Sequence, residues 1–148
     1  MKRLFIYYSR SGNGELVAIK MQELGFDIRK VVAKKELPKS FFFGILTGGF
    51  LAGIKYKDKL VNFDSDISKY DEIVIGSPIW NGRFSSPING VLNKLNLENK
   101  KISFALYSGS GEAPKAIKRI QKEYPNAGFI VLKEPKKYPE ELKKLSVL

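Results

Sequence analysis

The chain has 148 residues, with 26 Lys and Arg against 15 Asp and Glu, a formal net charge of +11 at pH 7, and neither Cys nor His. That length suits one domain around one core. The missing thiols and imidazoles exclude disulfides and thiolate metal centres and remove the commonest general base, so any chemistry must come from carboxylates, hydroxyls, backbone groups or a bound cofactor.

The opening "MKRLFIYYSR" holds a charged start and then an apolar run too short for the h-region of a signal peptide, which gives the expectation of a cytoplasmic protein. Residues 4–8 (LFIYY) read as a first strand and residues 26–32 (FDIRKVV) as a second. Between them Leu16, Val17, Met21 and Leu24 form a helical stripe. Next comes "SFFFGILTGGFLAGI", residues 40–54, an apolar stretch with four glycines, bracketed by Lys39 and by Lys55, Lys57 and Lys59. It is shorter than the roughly 20 residues that span a bilayer, and its glycines weaken a free-standing helix. The expectation is a helix and loop packed on a sheet, serving as a flap or a dimer surface, with membrane contact set well behind.

Residues 72–76 (EIVIG), 102–107 (ISFALY) and 128–132 (GFIVL) read as three more strands. Ile88, Val91, Leu92 and Leu95 share one helical face, as do Ala113, Ala116, Ile117 and Ile120, where Pro114 fits a first turn. A last helix is expected from near Pro139, with Tyr138, Leu142 and Leu145 inward. Four of the five strands are nearly continuous in apolar residues, the pattern of parallel strands covered on both faces. Alternating strands and helices predict one α/β domain over residues 1–148, a doubly wound sandwich with helices on both faces of a five-stranded parallel sheet.

Three loops stand out. "SRSGNG", residues 9–14, offers two hydroxyls, an amide, two glycines that let the backbone curl, and the N–H groups of a helix N-terminus. Such donors converge on a phosphate without needing a lysine. "GSPIWNGRF", residues 76–84, carries the only tryptophan, and "SGSGEAP", residues 108–114, is rich in small residues. In the strand order 2-1-3-4-5 these loops follow neighbouring strands and meet at the switch point where ligands bind. One loop cradles a phosphate, one presents an aromatic plane and one gives backbone hydrogen bonds to a heterocycle, a site for a phosphorylated flat cofactor.

At these residues the chain resembles the flavodoxin-like family, which binds FMN. "YSRSGNG" resembles its phosphate loop, "GSPIWNGRFSSPI" its second loop against the isoalloxazine, and "YSGSG" its third, in matching strand and loop order over nearly the full length. The departure is Gly14, where the family usually has a hydroxyl, so that one phosphate donor is lost. The resemblance implies that Ser9, Ser11, Asn13 and the N–H groups of Arg10, Gly12 and Gly14 hold the FMN phosphate. It implies that Pro78, Ile79, Trp80, Asn81 and Gly82 line the ring and ribityl chain, and that Ser108, Gly109 and Gly111 meet the dimethylbenzene or pyrimidine side. Gly82 would also permit a peptide flip toward flavin N5 on reduction.

Three functions follow as expectations. The first is a flavodoxin-like electron-transfer protein shuttling single electrons between redox partners with acidic contact faces. The second is a small FMN-dependent NAD(P)H:quinone-type oxidoreductase acting on a small electron acceptor, as a monomer or homodimer. Against it stands the lack of a second dinucleotide fingerprint. The third is a flavin-free domain that binds an anionic partner through its basic face. Basic residues scattered through the chain, with no exposed aromatic interleaving, argue against a nucleic-acid module. Asp58, Asp71 and Glu112 form no paired acid–base arrangement, and no catalytic or metal-ligating set is expected.

Overall fold

The computed structural model describes residues 1–33, 60 and 62–148. The apolar stretch 40–54, its flanking lysines and Asp58 lie outside the described residues. The chain leaves at Ala33 and returns at Leu60, and these two residues pair as an antiparallel bridge.

Strand β1 (Arg3–Tyr7) leads into helix α1 (Asn13–Glu23) and β2 (Asp27–Lys30). After the return come β3 (Glu72–Trp80), the two-residue β4 (Arg83–Phe84), α2 (Ser86–Leu92), β5 (Lys101–Ser108), α3 (Pro114–Glu123) and β6 (Gly128–Lys133). A 3-10 helix, Pro139–Val147, follows. The long strands stand in the order β2-β1-β3-β5-β6, all parallel, with β4 antiparallel to the end of β3. With β4 set aside, this is the expected 2-1-3-4-5 order.

The apolar strands are buried on both faces because alternate residues serve different layers. Leu4, Ile6 and Tyr8 pack with Ile88 and Val91 of α2 and Ala116 and Ile120 of α3. Phe5 and Tyr7 pack with Val17 and Met21 of α1 and with Leu145 of the 3-10 helix. Helices therefore cover both faces, as a doubly wound sheet requires.

Three boundaries differ from expectation. Among the described residues β2 is an edge strand paired with β1 alone, and it keeps Asp27–Lys30 while Phe26 turns into the core and Val32 is exposed. The last helix is 3-10 rather than α, although Leu145 is fully buried as expected. β3 runs four residues past Gly76, so Ser77, Pro78, Ile79 and Trp80 are strand and not loop. Pro78 lies past the end of the pairing with β1 and keeps β5 as its neighbour just before the hairpin with β4 begins, a position where proline is tolerated.

Candidate functional site

The carboxyl ends of β1, β3 and β5 meet at one edge of the sheet. Tyr7 is in register with Gly76 and Pro78 with Tyr107. Tyr8 N–H donates to Gly76 O (3.1 Å), and the Tyr107 hydroxyl donates to Tyr8 O (3.2 Å). The three loops are thus rooted side by side.

In the first loop Ser9 is the organiser. Its Oγ accepts from Gly12 N–H (3.2 Å) and Gly14 N–H (3.0 Å), drawing the chain into a curl that starts α1. Gly12 caps the helix at φ +96°, a left-handed conformation that glycine adopts without strain. Gly14 packs so closely that a Cβ there would lie 2.6 Å from Ser9 Cβ and 2.8 Å from Tyr7 Cδ2. The Asn13 amide is committed to the loop itself: Nδ2 donates to Ser11 Oγ (3.1 Å) and Oδ1 accepts from Lys136 N–H (2.9 Å). Ser11 is exposed, and the N–H groups of Arg10, Ser11 and Asn13 lie outside these bonds.

Electrostatics at this end are positive. The Arg10 Nη1 and Nη2 atoms are buried with no hydrogen-bond partner among the described residues, an arrangement that an anionic ligand would relieve. Glu15 is the only acidic residue in the first turn of α1. Burial works against its charge, but Lys30 Nζ at 2.6 Å, helped by Ser9, holds its carboxyl below the usual range.

The second loop is a tight hairpin. Asn81 (φ +50°) and Gly82 (φ +67°) both sit in the left-handed region, as a two-residue turn between paired strands demands. Arg119 of α3 clamps the turn through Gly82 O (3.2 Å). Trp80 meets the Tyr8 ring edge-on, with centroids 6.0 Å apart and planes at 89°. The tryptophan is therefore placed against the root of the first loop.

A buried serine pair anchors this hairpin. Ser77 Oγ donates to Pro78 O (2.8 Å) and accepts from Ser85 N–H and Ser85 Oγ, both at 3.1 Å. That spends its one proton and both lone pairs. Ser85 consequently does not use its side chain to cap α2. Ser77→Ala leaves the buried Ser85 N–H without its acceptor, and urea unfolding should show a loss of about 1–3 kcal/mol. A loss under about 0.5 kcal/mol would mean the hairpin does not depend on the pair.

The third loop closes on itself. Gly111 N–H donates to Ser108 Oγ (3.0 Å), whose hydroxyl donates to Glu112 O (3.0 Å). Gly111 has φ +82°, and a Cβ there would lie 3.0 Å from Lys133 Cβ. Gly109 is exposed, and no described atom lies within 4 Å of the position its Cβ would take, so one face of the loop is open.

The predicted residues thus gather at one edge, with their roles redistributed. Ser9, Gly12, Gly14 and Asn13 build the first loop, Ser11 stays exposed on it, Arg10 Nη1 and Nη2 have no hydrogen-bond partner among the described residues, and Ser108 and Gly111 shape the third loop. The fourth loop at this edge, residues 134–138, was not singled out from sequence. Its Lys136 looked like one more surface lysine, and only the chain path after β6 brings it to Ser11 and Asn13. A cavity of about 360 Å³ lies between α2 and α3 and borders the second loop through Gly82, Arg83 and Phe84. Among the described residues no cluster of Asp or Glu could hold a metal ion, and no helix is long and apolar enough to cross a membrane.

No family model and no curated protein matches the sequence. Solved structures do match. A candidate flavoprotein from Bacteroides eggerthii superposes with a TM-score of 0.75 at 20% identity over 86% of this chain and 84% of its own. A flavoprotein from Lactobacillus acidophilus, solved in complex with FMN, gives 0.67 at 20% identity over 94% and 97%. A candidate quinone reductase from Klebsiella pneumoniae gives 0.54 at 12% identity over 99% and 83%. The chain therefore has the flavodoxin-like fold.

Proposed function

We propose that the protein binds FMN at the junction of the three loops and serves as an electron-transfer flavoprotein. The observation that carries this reading is the first loop: a curl closed by Ser9 and capped by left-handed Gly12, at the end of β1 and beside Trp80. The donor set fits a phosphate. Arg10, exposed Ser11 and the N–H groups at the start of α1 supply it, while Trp80 and the open face at Gly109 suit a flat ring. The Lactobacillus acidophilus neighbour, which holds FMN on the same fold, supports the assignment.

When bound, FMN would supply the redox chemistry, and the chain sets its orientation, access and potential. Arg10 lies in the first loop and Arg83 and Arg119 flank the hairpin turn. Positive groups there favour the negative charge gained on reduction. The couple to the fully reduced flavin should accordingly lie at a less negative potential than in acidic low-potential carriers. The effect should shrink with added salt, since screening acts over about 8 Å at physiological ionic strength. The net charge of +11 suits electron partners with acidic contact faces, as donors or acceptors.

The test is a visible-spectrum titration with FMN followed by anaerobic stepwise reduction. Shifted flavin bands and reduction in separate one-electron steps are expected. Unshifted bands would remove the flavin reading and return attention to the basic surface as a binding face for an anionic partner.

A second reading, a reductase for a small acceptor such as a quinone, is favoured by the cavity between α2 and α3. It borders the Asn81–Gly82 turn and is large enough for a single ring system. Turnover of NAD(P)H with a quinone by the FMN-loaded protein would select this reading over the carrier.

A further inference from the structure

Lys133 ends β6, and the turn after it carries Lys136 and Lys137 and is firmly fixed. Glu134 N–H donates to Ser108 O (3.2 Å), and the N–H groups of Lys137 and Tyr138 donate to Glu134 O at 2.8 and 2.9 Å. Lys133 and Lys137 face the Tyr138 ring, with their ammonium groups 4.6 and 5.6 Å from its centroid. Lys136 goes the other way. Its backbone N–H donates to Asn13 Oδ1 (2.9 Å), and its ammonium donates to Ser11 O (3.3 Å). Its outer stem and ammonium lie 3.6–3.9 Å from where a Cβ on Gly12 would stand. Main chain and side chain together hold this lysine over the first turn of α1.

A cation is electrostatically out of place there. The helix N-terminus already carries the positive end of the dipole, and Arg10 adds a guanidinium in the same loop whose Nη1 and Nη2 are buried with no hydrogen-bond partner among the described residues. Among the described residues no carboxylate lies within ion-pair distance of Lys136. Ser11 O takes one of the three ammonium donors, which leaves two. The grouping is repulsive by itself and becomes attractive once a dianion sits among its members. Since the bond from Lys136 N–H to Asn13 holds the backbone in place, the ammonium is positioned before any ligand arrives.

We propose that Lys136 is a direct ligand of the phosphate group, so that this site recognises a phosphate monoester through a lysine from the fourth loop as well as through hydroxyls and N–H groups. The inference rests on the FMN reading above and adds a residue that the three-loop resemblance does not contain. It makes flavin affinity phosphate-dependent and salt-dependent through one side chain.

The experiment is flavin-fluorescence titration of wild type, Lys136→Gln and Lys136→Arg with FMN and with riboflavin, at low and high salt. Lys136→Gln should bind FMN about tenfold more weakly at low salt, the order expected of one charge-assisted contact. Its FMN affinity should depend less on salt than that of wild type, and its riboflavin affinity should be unchanged. Lys136→Arg should keep most of the FMN affinity. Wild-type FMN binding that Lys136→Gln leaves intact would overturn the role of Lys136 while sparing the flavin reading. Failure of wild type to bind FMN at all would overturn both, and an equal loss of FMN and riboflavin affinity would show that Lys136 acts on loop structure and not on the phosphate.

Discussion

Gly14→Thr should lower stability and weaken FMN binding together, although it restores the hydroxyl that flavodoxin-like phosphate loops usually carry at this position. The reason is space. A Cβ on residue 14 would stand 2.6 Å from Ser9 Cβ, 2.8 Å from Tyr7 Cδ2 and 3.0 Å from Tyr107 Oη. Two of these contacts are a ring carbon and a hydroxyl oxygen of tyrosines buried in the core, so relief requires moving the end of β1 or the start of α1. Overpacking of this kind costs about 3 kcal/mol, which for a chain of this size lowers Tm by about 6–12 °C. FMN affinity should fall because the displaced residues include Ser9, whose Oγ organises the curl. Thermal unfolding and FMN titration of the variant check both expectations. A Tm within about 2 °C of wild type with tighter FMN binding would mean that the two tyrosines move aside readily and that the missing hydroxyl was a true deficit.

The prediction also shows where the sequence was legible. The nearly continuous apolar runs of β1, β3 and β5 announced strands covered on both faces, and Leu4 and Phe5 do pack into opposite layers. Loop order then placed the three unusual segments at one edge. At Gly14 the sequence shows the missing hydroxyl but not the side chains of Tyr7 and Tyr107, from two different strands, that leave no room for a Cβ there. Residues 77–80 looked like loop because proline, serine and tryptophan after a strand usually end it. Here the buried Ser77–Ser85 pair and the Asn81–Gly82 turn carry the strand onward into a hairpin. Lys136 was invisible for a related reason: its partners Ser11 and Asn13 lie more than a hundred residues away. Local pattern reports faces and turns, and it is silent about contacts made only when the last strand closes the sheet.

The largest pH effect should come from Tyr107. Its ring is fully buried at the end of β5, its hydroxyl donates to Tyr8 O, and it fills the space that Gly14 and Gly76 leave open. Burial pushes its ionisation well above the ordinary tyrosine value, and the negative charge of Glu15 and the neighbouring Tyr7 push in the same direction. In the unfolded chain the same phenol ionises near pH 10. Below that pH both states keep the proton and stability is unaffected. Above it the unfolded state releases the proton while the native state retains it, so stability falls by about 1.4 kcal/mol per pH unit from this residue. Tyr124, raised to about 12 chiefly by burial, contributes in the same direction between pH 10 and 12. Urea unfolding at pH 8, 10 and 11 should show wild type losing stability over the last step and Tyr107→Phe losing about 1 kcal/mol less over that step, after an initial cost at pH 8 of about 1 kcal/mol for the lost hydrogen bond. Parallel losses in the two proteins would show that the native state lets Tyr107 ionise. Tyr8 leads into the first loop, so the hydroxyl expected to govern alkaline stability is also the tie between β5 and the root of the curl that Ser9 closes.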